Sequence, residues 1–437
     1  MKKVFSRKTT PAMAKKDKSE LREKDNSIGN EIDNFVKQIE SLATTLSIVA
    51  SVMTMFLAKT KEDLDNFVKS AEGMKSIKKS IKKKTDVYKI KGEAIPKFEK
   101  LMHNLDISQN ALRITPKSFI VSLVSQYDAF LGRLLKKIFY LKPELLNASE
   151  RRLMFSELVK LDSVDKAREY IIEKEVESII RESHTYHFDW MEKRFSVHLR
   201  KELEAWPNFI ELTERRNLFV HCDGVISSQY IDNCKAAGVS IKESVVVGKR
   251  LSVDPEYFKQ AQECMAEIGV KLGQVLWRKL VPNDIAIADS NFNDICYELI
   301  VDENYSLAKK LLQFAVSIKK YSSDEIHRQL LVNLAQAYRW SGEIDRCNQL
   351  IGETDWSACA DKFKLAISVL KDDFTDAKKI MKRIGRNGEI DKTSYKEWPL
   401  FKKFRQSPQF LETYKELFGE EFSVIESKRN AEDAPKK

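Results

Sequence analysis

From residue 28 onward, apolar side chains recur every three or four positions. Ile32, Phe35, Ile39, Leu42 and Leu46 set the rhythm, which predicts one long helix or a helical pair over residues 28–75. Within it, "SLATTLSIVASVMTMFLA" (Ser41 to Ala58) runs eighteen residues without a charge, six of them Ser or Thr. A spanning helix needs about twenty predominantly apolar residues. The flanks carry the same spacing outward, so the stretch reads as a buried or coiled helix and a membrane as an unlikely partner. Next comes "KSIKKSIKKKTDVYKIKGEAIPKFEK" (Lys75 to Lys100), dense in lysine with Pro96 near its end. It reads as a solvated linker, with a phosphate-binding patch as the alternative, because Tyr88 and Phe98 alone interleave the charges.

From about residue 115 the helical period strengthens. "PKSFIVSLVSQYDAFLGRLLKKIFYLKPELL" aligns Phe119, Leu123, Tyr127, Leu131, Leu134 and Ile138 on one stripe ending before Pro143. "SERRLMFSELVKL" and "SVDKAREYIIEKEVESIIRES" each open on a serine suited to an N-cap. "HFDWMEKRFSVHL" and "AWPNFIELTERRNLFVHCDGVIS" extend this helical group. "VSIKESVVVGKRLSVDPEYFKQA" predicts a short extended excursion, then a helix from Pro255 to Leu280. After about residue 285 the pattern turns to short helices joined by tight turns.

In "LLVNLAQAYRWSGEIDRCNQLI", Asn333, Leu334, Ala335, Ala337, Tyr338, Gly342 and Cys347 stand at small, bulky and turn positions. The pairs Tyr305/Ala308 and Phe374/Ala377 repeat an aromatic-x-x-Ala feature. Together they resemble a degenerate tetratricopeptide array of three helical hairpins over roughly residues 288–386. The small positions 308, 347 and 377 are 39 and 30 apart and not evenly spaced. Such a stack implies a concave surface for a partner chain near Tyr338 and Trp340.

The predicted fold class is therefore all-α. Its parts are a disordered basic tail (1–27), an N-terminal helical region with a basic linker (28–114), a helical bundle (115–284), a helical-hairpin array (285–425) and a charged tail (426–437). Composition agrees: Gly and Pro number 14 and 10, and 43% of residues are hydrophobic, enough for cores. The net charge of +10 suits a polyanionic partner such as RNA, DNA or anionic lipid without demanding one. Six scattered cysteines with no CxxC pair, and a basic start without an apolar run behind it, read as a cytoplasmic protein.

Candidate chemistry narrows quickly. His184 and His187, three apart in "HTYH", lack a carboxylate or cysteine at ligand-like spacing, so no metal is implied. Glycine-rich phosphate cradles and G-x-S-x-G elbows are absent from the sequence, and no cofactor is implied. What remains is "TERRNLFVHCDG" (Thr213 to Gly224), where Arg216 precedes His221 by five residues. Histidine exchanges a proton near neutral pH, and an arginine fork holds phosphate oxygens as charge builds. RNA brings its own nucleophile, the 2′-OH, so this pair would need no metal.

With "VSLVSQYDAFLGRLLKKIFYLKPELL" as first helix and "LTERRNLFVHCDGVIS" as motif helix, residues 116–280 resemble a HEPN domain of the RiboL-PSP-like ribonucleases. The family's R-x4–6-H motif falls on Arg216 and His221, and its polar position on Asn217. The resemblance implies a metal-independent endoribonuclease in which His221 is acid/base, Arg216 stabilises phosphate and Asn217 positions by hydrogen bonding. It also implies RNA as partner, a homodimer with two motifs facing across a two-fold axis, and Arg215 on the RNA backbone. By association it suggests a bacterial defence or toxin-like effector. The rival expectation is a non-catalytic scaffold that binds RNA or a partner protein.

Overall fold

The computed structural model describes residues 27–70, 74–80, 85–90, 92–148 and 153–423. Of the expected tails, 1–26 and 426–437 lie outside them, whereas Ser27, the last residue of the expected N-terminal tail, opens the first helix. The chain divides into two compact units, one spanning Asn30–Leu280 and the other built on Val281 onward. Their helical character is the all-α fold expected.

In the first unit, α1 (Ser27–Lys69) and α2 (Ile95–Leu141) are 43 and 47 residues long. Between them lies the hairpin of β1 (Met74–Ser80) and β2 (Thr85–Ile90), antiparallel, with a register shift between Ser76 and Lys78. A lysine-rich linker was expected over 75–100. A hairpin and the first turns of α2 stand there instead, because Thr85, Val87, Tyr88 and Ile90 favour strand. Helix α2 runs through Pro116 without stopping, so the expected boundary at 114/115 falls inside one helix.

The N-terminal region is likewise not separate from the bundle. Ile32 and Phe35 of α1 are fully buried, and Phe35 stacks on Phe130 of α2 with centroids 4.4 Å apart. Five of the six stripe residues expected on α2 (Leu123, Tyr127, Leu131, Leu134 and Ile138) have no exposed surface. The unit continues through α3 (Phe155–Lys160), α4 (Val164–Ile180), α5 (His184–Phe195), α6 (Trp206–His221), α7 (Ser228–Ala236) and α8 (Pro255–Leu280). The expected serine cap holds at α4, where Ser163 accepts from the Lys166 N–H. Helix α3 begins only at Phe155, and Ser149 lies outside the described residues. The extended excursion reduces to one bridge between Val225 and Arg250.

Helix α8 meets α1 closely because glycine removes the side chain at two positions. A Cβ at Gly269 would lie 2.1 Å from the Phe35 ring, and one at Gly273 would lie 2.7 Å from Ile32.

The second unit holds three helical hairpins, α9 (Ile285–Val301) with α10 (Tyr305–Ser317), α11 (Asp324–Trp340) with α12 (Ile344–Gly352), and α13 (Asp361–Leu370) with α14 (Phe374–Ile384). Helices α15 (Lys392–Glu397) and α16 (Pro408–Phe418) follow. Each hairpin turn has its middle residue at positive φ: Glu303, Gly342 and Asp372 at 58°, 86° and 58°. Five residues after each, the small side chains Ala308, Cys347 and Ala377 are fully buried. The three hairpins thus share one turn geometry despite uneven spacing. Tyr338, expected on a binding surface, is instead mostly buried, and its hydroxyl accepts from Gln313 Nε2 at 2.8 Å.

Because the Phe35 ring occupies the space above Gly269, Gly269→Ala is expected to cost about 1–3 kcal/mol by overpacking. Thermal unfolding should show Tm lowered by several degrees, and an unchanged Tm would contradict this account of the α1–α8 contact.

Candidate functional site on helix α6

Helix α6 carries Arg215, Arg216, Asn217 and, as its last residue, His221. Two carboxylates pin it. On one side, Arg216 Nη2 donates to Asp128 Oδ2 of α2 at 2.8 Å, and Arg216 Nη1 donates to Asn217 Oδ1 at 3.1 Å. The other Asp128 oxygen lies 2.9 Å from His184 Nε2 of α5. Burial pushes the Asp128 carboxyl up, but the His184 hydrogen bond, with the His184 and Arg216 charges, outweighs it and holds the group below its usual value. Asp128 also lines an open groove with Gly132, Lys136, Glu173 and Glu177, so the ion pair is not sealed from solvent.

On the other side, Glu211 accepts from Arg215 Nε at 2.7 Å, from the Tyr230 hydroxyl at 2.6 Å and from the Tyr257 hydroxyl at 2.7 Å. Arg215 also donates to the Ser252 carbonyl and lies 3.8 Å from the Tyr257 ring centroid. Arg215, expected on the RNA backbone, has a side chain 13% exposed that is held by Glu211, the Ser252 carbonyl and the Tyr257 ring. Burial pushes both Tyr230 and Tyr257 far up, so both remain hydroxyl donors to Glu211.

His221 is exposed and makes no hydrogen bond or ion pair among the described residues. Five residues turn a helix by about 500°, so Arg216 and His221 leave α6 about 140° apart. Within one chain Arg216 is held by Asp128, and nothing joins it to His221. Of the three apolar residues between them, Leu218 packs with Ile226, Tyr230 and Cys234. Val220 is 49% exposed.

Beyond His221 the surface is basic. Asp223 is approached by Lys117 at 3.2 Å, Arg250 at 3.0 Å and Arg113 at 3.8 Å. Three cations share one carboxylate, and Lys117 first among them holds the Asp223 carboxyl below its usual value. Since one carboxylate neutralises one cation, the cluster carries a net charge of about +2 next to the exposed imidazole.

His184 and His187 are buried or nearly so, not at the surface, and their rings lie 5.2 Å apart. Among the described residues no group of three His, Cys, Asp or Glu is arranged to hold a metal. Asp128, His184 and Glu211 escaped the sequence reading. Asp128 carried a signal, as a carboxylate beside Tyr127 on an otherwise apolar helix face. Glu211 carried another, one helical turn before Arg215.

Compared with family models, curated proteins and solved structures, the chain gives no match.

Desolvation, and then the neighbouring His184, push His187 down from 6.5 to about 4. The unfolded chain takes up this proton near pH 6.5 and the folded chain only near pH 4, so the stabilisation is present above pH 6.5 and drains away as pH falls through that window. Urea unfolding should show wild type losing up to about 3 kcal/mol across this range. His187→Phe should lose much less, and equal losses in both proteins would contradict the assignment.

Proposed function

We propose that the protein is a metal-independent endoribonuclease of HEPN type, with α6 as its working helix. The observation that carries the reading is the layout of α6. It holds Arg216 in place through Asp128 and Asn217 and leaves His221 exposed beside the net-positive cluster of Arg113, Lys117 and Arg250. Within that cluster Arg113 and Arg250, each about half exposed, suit the RNA backbone better than Arg215, while the buried Lys117 holds Asp223. In the reaction, a base takes the proton of the 2′-OH and the 2′ oxygen attacks phosphorus. The bond to the 5′ oxygen breaks, and that oxygen receives a proton. The products are a 2′,3′-cyclic phosphate and a 5′-OH. His221 supplies the proton transfer, the outer N–H groups of Arg216 meet the phosphate, and Asn217 orients Arg216.

Because Arg216 and His221 diverge within one chain, the reading requires two copies whose α6 helices face each other, completing the cleft from both sides. The three hairpins of the second unit are read as a tetratricopeptide-like platform for a protein partner, on the strength of their shared turns and buried small residues. A cytoplasmic effector in bacterial defence, toxin-like in action, is the biological setting this combination suits.

One observation favours a second reading. The Asp128–Arg216 pair fastens α6 to α2, which is also what a non-catalytic scaffold needs from that arginine.

Purified protein is expected to cut RNA but not DNA with EDTA present. His221→Ala and Arg216→Ala should each slow cutting by about 100-fold or more, with the Tm of His221→Ala unchanged because the side chain is exposed. Loss of cutting in chelator, or full activity in His221→Ala, would overturn this reading, and absence of cutting by the wild type would favour the scaffold.

A further inference from the structure

Cleavage through the 2′-OH needs two proton transfers, one from the attacking oxygen and one to the leaving oxygen. The two oxygens stand roughly in line through phosphorus, so the transfers fall on opposite sides of it and call for two groups. His221 is one of them. The other is to be sought beside Arg216, which meets the phosphate.

His184 stands there. It opens α5, and its Nε2 lies 2.9 Å from one Asp128 oxygen while Arg216 Nη2 lies 2.8 Å from the other. Imidazole and guanidinium are thus bound to the two oxygens of one carboxylate. Asp128 is held below its usual value and stays ionised, so it has no hydrogen to give. The hydrogen of the bond to His184 therefore belongs to Nε2. In the neutral ring this leaves the lone pair on Nδ1, and Nδ1 enters no hydrogen bond among the described residues. A carboxylate behind an imidazole orients the ring and steadies the imidazolium that forms when the ring takes a proton.

Packing holds the ring as well. The centroids of Tyr127, His187 and Phe209 lie 6.0, 5.2 and 5.7 Å from it, with Phe209 edge-on at 84°. His187 shows what a packed histidine looks like here, since it has no exposed surface. His184 differs: its side chain keeps 11% exposure, beside 19% for Asp128 and 23% for Arg216. A ring locked by its neighbours that retains access to solvent suits a group that must meet a substrate. The charged and titratable groups facing it are Asp128 and Tyr127 from α2, Arg216 from α6 and His187 from α5. Burial pushes Tyr127 up and His187 down, so both are neutral near pH 7.

We infer that His184 is the base that takes the 2′-OH proton, with His221 of the facing copy as the acid at the 5′ oxygen. Nδ1 accepts the proton as the 2′ oxygen attacks phosphorus. The bond to the 5′ oxygen breaks with its electron pair, and His221 gives that oxygen a proton. His184 ends protonated and His221 neutral, and exchange with water resets both. This assignment rests on the nuclease reading.

Cleavage by the full chain in EDTA tests it, on an oligoribonucleotide spanning a cut mapped with wild type. The substrate is made once with its ordinary bridging 5′ oxygen and once with sulfur there, which leaves without a proton. Glutamine offers an N–H near the place of Nε2–H, so His184→Gln keeps Asp128 bonded but cannot take a proton. It should lower kcat by about 100-fold or more on both substrates, with KM and Tm close to wild type. The limb of the pH profile that rises with pH should vanish with it, because the base acts only when neutral. Sulfur should restore most of the rate to His221→Ala. His184→Ala, which leaves Asp128 half-satisfied, should lower Tm as well, so all assays run below the lowest Tm of the set. Full cutting by His184→Gln, or its rescue by sulfur, would overturn the assignment and leave the nuclease reading standing. Loss of cutting in His184→Ala but not in His184→Gln would make His184 a positioning residue and overturn it too. A wild type that cuts no RNA overturns both.

Discussion

A carboxylate withdrawn from water is costly unless charges and hydrogen bonds meet it from more than one side. Asp128 satisfies that condition by giving one oxygen to Arg216 and the other to His184. The three residues come from α6, α5 and α2, so one side chain fixes three helices relative to one another. Loss of either partner would leave a partly buried charge half-satisfied. The orientation of Arg216 is therefore a property of the bundle and not of α6 alone. On the opposite side Glu211 does the same with two phenols and Arg215. Between these anchors α6 has little freedom except at its C-terminal end, where His221 stands.

Helix α1 contributes to that rigidity from outside the site. Phe35 lies against Phe130, two residues beyond Asp128, and fills the space that Gly269 leaves open. The N-terminal helix is thus a structural part of the bundle, although its distal half runs well beyond it. This division explains why one helix is apolar all round without being buried all round: its first turns pack inward, and its middle carries a face that the bundle never covers.

Much of this was legible in the sequence wherever a single period dominates. The stripe from Leu123 to Ile138, the helix Pro255–Leu280 and the three tight turns after residue 300 follow from spacing and turn residues alone. The boundary at 114/115 was not, because proline in a helix usually marks an end, and at Pro116 the helix continues. The strands of 74–90 were hidden by lysine density, which reads as solvated chain. At the site, sequence picked out α6 and its cations but not their partners, since a contact between residues 88 apart leaves no local periodicity. Arg215 and Arg216 are adjacent and chemically alike, yet one is spent on packing and the other faces a groove-lining aspartate. Only the tertiary arrangement separates them.

The account stands most directly on the bond between Asp128 and Arg216 as the device that holds α6 ready. A double-mutant cycle with Asp128→Asn and Arg216→Gln, read both as thermal stability and as RNA cleavage in EDTA, measures it. The account predicts that each single change lowers both, and that the double variant is no worse than the poorer single, a coupling of about 0.5–3 kcal/mol. Additive stability losses, with cleavage untouched by Asp128→Asn, would contradict it.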